Sequence, residues 1–139
     1  AEVTCAVVED FTNTTVKKNV RIQNTGTTDA YIRAMIVANW CMADGKVVKT
    51  ASPKYEGLAE NNWVEHDGFY YYTKPVAPDQ TTSMLFTKCE QGTVPEGADH
   101  LEVNIICQAV QSTPAAAVGE AWKVTIAPNS VTAYSSTGN

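Results

Sequence analysis

Residues 30–41 read AYIRAMIVANWC, and their alternation decides the fold class. Ile32, Ala34, Ile36, Ala38 and Trp40 fall on one side of an extended chain; Tyr31, Arg33, Met35, Val37 and Asn39 fall on the other. Successive side chains of a strand leave on opposite faces, so a period of two sustained over this length predicts a long strand with an inner face. Asp44-Gly45 follows directly and has the residue types of a hairpin turn.

The same period recurs on both sides of this stretch. Val16, Val20 and Ile22 oppose Lys17, Asn19, Arg21 and Gln23, and Asn24-Thr25-Gly26 ends that strand in a turn. Leu101, Val103, Ile105 and Cys107 mark the inner face of a long late strand that ends near Gln111. Asp67-Gly68 introduces an aromatic strand, Phe69 to Tyr72, closed by Pro75 and Pro78. Thr81 to Cys89 reads as a strand with Met84 and Phe86 or Leu85 inward, and Gln91 to Gly97 as a loop. Lys123 to Ala127 and Asn129 to Tyr134 are two further short strands. Residues 46–67, with Pro53, Gly57, Asn61, Asn62 and Trp63, show no period and read as a long surface excursion. Ala115 to Trp122 is the one helical stretch, held by Gly119 to about two turns. About eight short strands punctuated by Gly, Pro and Asn predict an all-β fold, an antiparallel jelly roll or β-sandwich with one short helix.

Composition narrows the function classes. A chain of 139 residues holds one domain with a sizeable core. Its net charge of −5 and its scattered lysines argue against nucleic acid as a partner, because phosphate binding needs a basic patch. No apolar run is long enough to cross a bilayer, so no membrane insertion is expected. The chain starts at Ala1: one reading is the residue left after removal of a secretory signal, with an extracellular protein expected, and a trimmed chain is the other.

Cysteine usage agrees. Cys5, Cys41, Cys89 and Cys107 are spread singly along strand-like segments, without the short spacing that zinc requires. They are disulfide candidates of an oxidising compartment. Three pairings are open, among which Cys41–Cys89 with Cys5–Cys107 is preferred; four buried thiols are the alternative.

Sites for chemistry are scarce. His66 and His100 are the two histidines, and neither lies in a short ligand motif. Glu65-His66-Asp67 is the best metal or acid–base candidate, yet it sits beside a turn and reads first as a solvated turn. Cys5 or Cys107 acting as a nucleophile beside His100 is the sharper alternative. There is no GxSxG and no phosphate loop, so no enzyme, metal or cofactor is expected. Tyr70, Tyr71 and Tyr72 with Trp40, Trp63 and Trp122 would suit a sugar-stacking surface, although core filling is the plainer reading. Asn13-Thr14-Thr15 is formally a glycosylation acceptor, and Lys–Asn isopeptide crosslinks, Asn139 included, are conceivable without a spacing that pairs them.

Three segments in order resemble one family: VKKNVRIQNTG at 16–26, with Asp29 to Ala34 and Asn39-Trp40; Gly68 to Tyr72, with Pro75 and Thr81-Thr82; and Ala109 to Gln111, with Ala115 to Trp122. Together they are similar to the TasA/camelysin group of exported biofilm-matrix proteins, especially its short clostridial members, and to the related archaeal bundling pilins. The resemblance spans about residues 14–122. It implies a jelly-roll domain, export, and assembly into fibres in which an N-terminal strand of one subunit completes the sheet of the next. Four cysteines are not a hallmark of that group.

Residues 2–8 suit the role of such a donor strand. Val3, Cys5 and Val7 form one face and Thr4, Ala6 and Val8 the other, both largely apolar. Seven extended residues span roughly 23 Å, enough to cross a sheet. The chain then divides into residues 1–12, donor strand and hinge, and 13–139, a single jelly-roll domain. The expected function is a structural subunit of an extracellular fibre or pilus, with identical subunits as partners. The alternative is a secreted monomeric binding module for carbohydrate or surface adhesion. The C-terminal strand, Asn129 to Tyr134, is a second candidate donor.

Overall fold

The computed structural model describes residues 2–10 and 17–135. The described residues are all-β with one short helix: they form eleven strands and a seven-residue helix α1, Ala116–Trp122. β1 (Cys5–Asp10), β2 (Lys17–Asn24), β8 (Phe86–Cys89) and β5 (Tyr55–Glu56) form an antiparallel four-stranded sheet in the order β1-β2-β8-β5. The second sheet is built on β3 (Ala30–Cys41), the twelve-residue strand of the alternating stretch. β9 (His100–Gln111) pairs with β3 along its whole length, from Ala30 opposite Gln111 to Cys41 opposite His100. β7 (Phe69–Tyr72) lies opposite Arg33 and Ala34, β4 (Val47–Thr50) lies opposite Asn39 to Cys41, and β6 (Trp63–His66) pairs with β7. β10 (Val124–Ala127) and β11 (Ser130–Ala133) form a separate ribbon. The sheets curl but stay open along one side, where β1 and β9 each have a single strand neighbour.

Alternation places the core. Val20 and Ile22 of β2, Ile32 and Ala34 of β3, Phe86 of β8 and Leu101 of β9 meet in one cluster drawn from both sheets. Each of the enclosed Val, Ile, Leu and Phe side chains contributes about 1.5–3 kcal/mol. The other face of the second sheet is covered as well. Tyr71 packs there with Val118 of α1, Val124 of β10 and Val131 of β11, flanked by Tyr31, Phe69 and Trp122. This explains the apolar residues at both parities of β3 and β7: the sheet is buried on two sides.

The surface excursion expected at residues 46–67 is corrected, because β4, β5 and β6 all lie within it. β4 is exposed at every position and so carries no apolar alternation, and the turns between these strands use left-handed Ala59, Asn61 and Asn62. Trp63 nevertheless reaches the core and donates its indole N–H to the Ser83 carbonyl at 3.2 Å. The strand expected over Thr81 to Cys89 shortens to β8. Leu85 and Phe86 are both buried, which no regular strand with one inner face permits, and the Thr82 hydroxyl accepts the Ile22 N–H at 3.1 Å in place of a ladder bond.

The hairpin between β6 and β7 turns on Asp67 and Gly68, both at positive φ, whereas the sequence marked this pair only as the entry to an aromatic strand. As expected, α1 runs to Trp122 with Gly119 inside it, about two turns in all. The Tyr134 ring packs so closely on the Gly119 α-carbon that a methyl group there would overlap the ring. The helix closes at left-handed Lys123, whose N–H bonds the Gly119 carbonyl.

Candidate functional site

The open side of the fold is the candidate site. β1 is antiparallel to β2, from Cys5 opposite Asn24 to Asp10 opposite Lys18. Its inner residues Cys5 and Val7 pack on the main core, while Thr4 is exposed. On its far side β1 approaches β9, yet among the described residues no backbone hydrogen bond joins the two. The seam is therefore held by side chains alone. At one end the Lys17 Nζ–Glu9 Oε1 pair, at 2.7 Å, ties β1 back to β2 rather than across to β9. At the other, Cys5 Sγ donates to Cys107 Sγ at 3.0 Å, in an open cleft lined also by Thr4, Arg33, Gln108 and Trp122.

The segment ahead of β1 docks on the turn after β2. Thr25 N–H donates to the Thr4 carbonyl and Thr27 N–H to the Glu2 carbonyl, each at 3.0 Å. Gly26 lies beneath this crossing, and a side-chain carbon there would run into the Glu2 carbonyl. Its φ is not in the left-handed region, so glycine is needed for close approach rather than for backbone freedom. Asn24 fixes the turn from inside. Fully buried, it donates from Nδ2 to the carbonyls of Thr28 (2.9 Å) and Val76 (2.8 Å), and its Oδ1 accepts the Gly26 N–H at 2.8 Å. The sequence marked Asn24 and Gly26 only as turn residues; their roles depend on chain segments far away in sequence.

The cleft's far wall is Arg33. Its guanidinium carbon stands 3.9 Å from the centre of the Phe69 ring and 4.6 Å from that of Trp122. Nη1 donates to Tyr71 Oη at 3.0 Å and Nε to Gln108 Oε1 at 2.8 Å. The cation thus ties β3, β7, β9 and α1 together.

The structure brings Cys5 and Cys107 together but not Cys41 and Cys89. Cys41 closes β3 opposite His100, and Cys89 closes β8 opposite Lys17 and Tyr55, on the other sheet. Both are about 1% exposed, and burial pushes both thiols up. His100 lies seven residues from Cys107 along β9, about 23 Å at the strand rise, so it does not serve that thiol. Its ring nitrogens instead meet Asp99 Oδ2 and Glu102 Oε2, each at 2.8 Å, and these carboxylates, Glu102 foremost, hold the imidazole above its ordinary value. In Glu65-His66-Asp67, His66 Nε2 faces Asp67 Oδ2 at 3.3 Å within the hairpin. No group of three or more His, Cys, Asp or Glu suited to a metal ion occurs among the described residues.

Among the described residues no aromatic side chain is exposed: Trp63 and Tyr71 are buried, and Trp40, Tyr70, Tyr72 and Trp122 are half-buried. Residues 1 and 11–16, which carry most of the expected hinge and the Asn13 acceptor, lie outside the described residues, as does Asn139. No helix among those described is long and apolar enough to cross a membrane.

No family model, curated protein or solved structure matches this chain.

Proposed function

We propose that the chain is a structural subunit of an extracellular fibre, and that β1 of one copy fills the seam of the next. On this reading the two sheets are a jelly-roll β-sandwich left open along one side, and the N-terminal strand is exchanged between copies. The observation that carries it is the attachment of β1. This strand is hydrogen-bonded to β2 and the following turn, while its other side faces β9 without a backbone bond among the described residues. Withdrawing it would bare the β2 edge and the core around Val20 and Ile22, a surface that cannot stay empty in water.

An identical strand from another copy restores the same bonds and the same burial, so exchange has little enthalpic cost. Donor and acceptor surfaces differ, so the contact is head-to-tail and propagates as a filament unless it closes into a ring. Gly26 and the amides of Thr25 and Thr27 would receive Glu2 and Thr4 of the donor as they receive this chain's own. The resemblance to exported matrix-fibre proteins supports the same reading. A monomeric sugar-binding module is less well supported, because its aromatic platform is absent from the described surface.

Negative-stain microscopy of the full chain beside a variant lacking residues 1–9 tests the proposal. Filaments from the first and none from the second are expected. Monodisperse particles from both, at concentrations up to the millimolar range, would overturn it.

A further inference from the structure

The thiol pair at the end of the seam has a use that strand exchange alone does not require. We propose that Cys5 and Cys107 are a disulfide-forming pair that fastens whichever copy's β1 occupies the seam. The order of oxidation and exchange then selects between a locked monomer and a covalently linked fibre. The second half of this rests on the strand-donation reading; the first does not.

Position makes the case. The sulfurs are in contact, 3.0 Å apart, across the one interface of β1 that lacks backbone hydrogen bonds. A bond there supplies the attachment that the seam omits. Both residues are partly exposed and open onto the cleft beside Arg33 and Gln108, so a small disulfide can reach them. Cys41 and Cys89 are enclosed in the fold, so the oxidised chain should keep two thiols. The pair is also chemically asymmetric. The hydrogen bond from Cys5 holds the Cys107 thiol below its ordinary value, and the same bond, with burial, raises Cys5. Cys107 is therefore the first nucleophile.

The oxidant is a disulfide, either a small molecule such as oxidised glutathione or a dithiol oxidoreductase. The Cys107 thiolate attacks one sulfur of RS–SR, forming Cys107–S–S–R and releasing RS⁻. Cys5 then loses its proton to solvent and attacks Cys107 Sγ, releasing the second RS⁻. The released thiolates take up the two protein protons: two protein thiols are oxidised and one RS–SR is reduced to two RSH. Within one chain the product bolts β1 to its own β9. After exchange the same two residues meet between copies, and the product joins neighbours.

The test uses the full chain and oxidised glutathione. Monomer is oxidised, alkylated and digested without reduction for mass spectrometry. A Cys5–Cys107 link in one chain is expected, with Cys41 and Cys89 alkylated only after unfolding. Amides of residues 3–8 should exchange at least tenfold more slowly than in the Cys5→Ser variant. Scrambled pairing, four free thiols or unchanged exchange would each overturn the proposal. In a second arm, monomer oxidised first should fail to form filaments, whereas filaments oxidised afterwards should give a denaturant-resistant ladder that collapses on reduction. Filaments formed equally well from pre-oxidised monomer would overturn the latch and leave the fibre reading intact. A clean Cys5–Cys107 bond in a chain that never polymerises when reduced would sink the fibre reading while supporting the disulfide pair.

Discussion

Replacing Asn24 by alanine should be among the most damaging single changes to this fold, although the residue carries a polar side chain at a turn. Three buried or half-buried backbone groups depend on it: the Gly26 N–H, and the carbonyls of Thr28 and Val76. The Val76 carbonyl keeps a second partner in the Ala30 N–H at 3.0 Å, whereas the enclosed Gly26 N–H loses its side-chain acceptor. An orphaned buried group costs about 1–3 kcal/mol and a half-served one less, so the loss should total about 3–5 kcal/mol. For a domain of this size that lowers Tm by roughly 10–15 °C. Urea unfolding followed by tryptophan fluorescence measures it. Asn24→Asp is a sharper control, because it keeps the shape and the acceptor but turns a carboxylate towards two carbonyls. It should be at least as damaging as alanine at neutral pH and recover in part in acid, where a protonated carboxyl regains one donor. A loss below about 1 kcal/mol for Asn24→Ala, with an unchanged urea slope, would refute the reasoning.

Two further perturbations test the Arg33 stack and the His100 cluster. Arg33→Lys keeps the charge but loses the planar fork and its stacking on Phe69 and Trp122, so unfolding should become easier by about 1–3 kcal/mol, read from the urea midpoint. The His100 cluster gives a pH signature: its folded value is raised, so its stabilisation is complete below the unfolded value of about 6.5 and fades as pH rises through the folded one. The difference in urea midpoint between the natural chain and His100→Gln should therefore shrink from pH 5 to pH 8.5, and a widening difference would contradict the assignment.

Much of the framework was legible because one face of each long strand is apolar. β3 starts and ends where the alternation of residues 30–41 does, and the inner residues read for β9 line the core side of that strand. The Asp44-Gly45 turn, which carries β3 back into β4 with Gly45 at positive φ, followed from residue type. What escaped notice has a physical reason in each case. β4 is an exposed edge strand, and β5 has only two residues, so neither writes a pattern into the sequence. Arg33 stood on the supposed outer face of β3, and nothing local revealed that α1 and the β10–β11 ribbon cover it. Gly26 and Gly119 are set by a carbonyl and a ring that arrive from elsewhere in the chain. At the seam, two cysteines separated by 102 positions were visible as candidates, but only the curl of the sheets puts their sulfurs in contact.

Whether the seam accepts β1 in trans is read by complementation. A chain lacking residues 1–9 is titrated with a peptide of residues 1–10, and binding is followed by tryptophan fluorescence and circular dichroism. Saturable one-to-one binding, with a gain in folded signal and strong weakening by Val7→Asp in the peptide, is the predicted result. A truncated chain that folds stably and ignores the peptide would contradict the account.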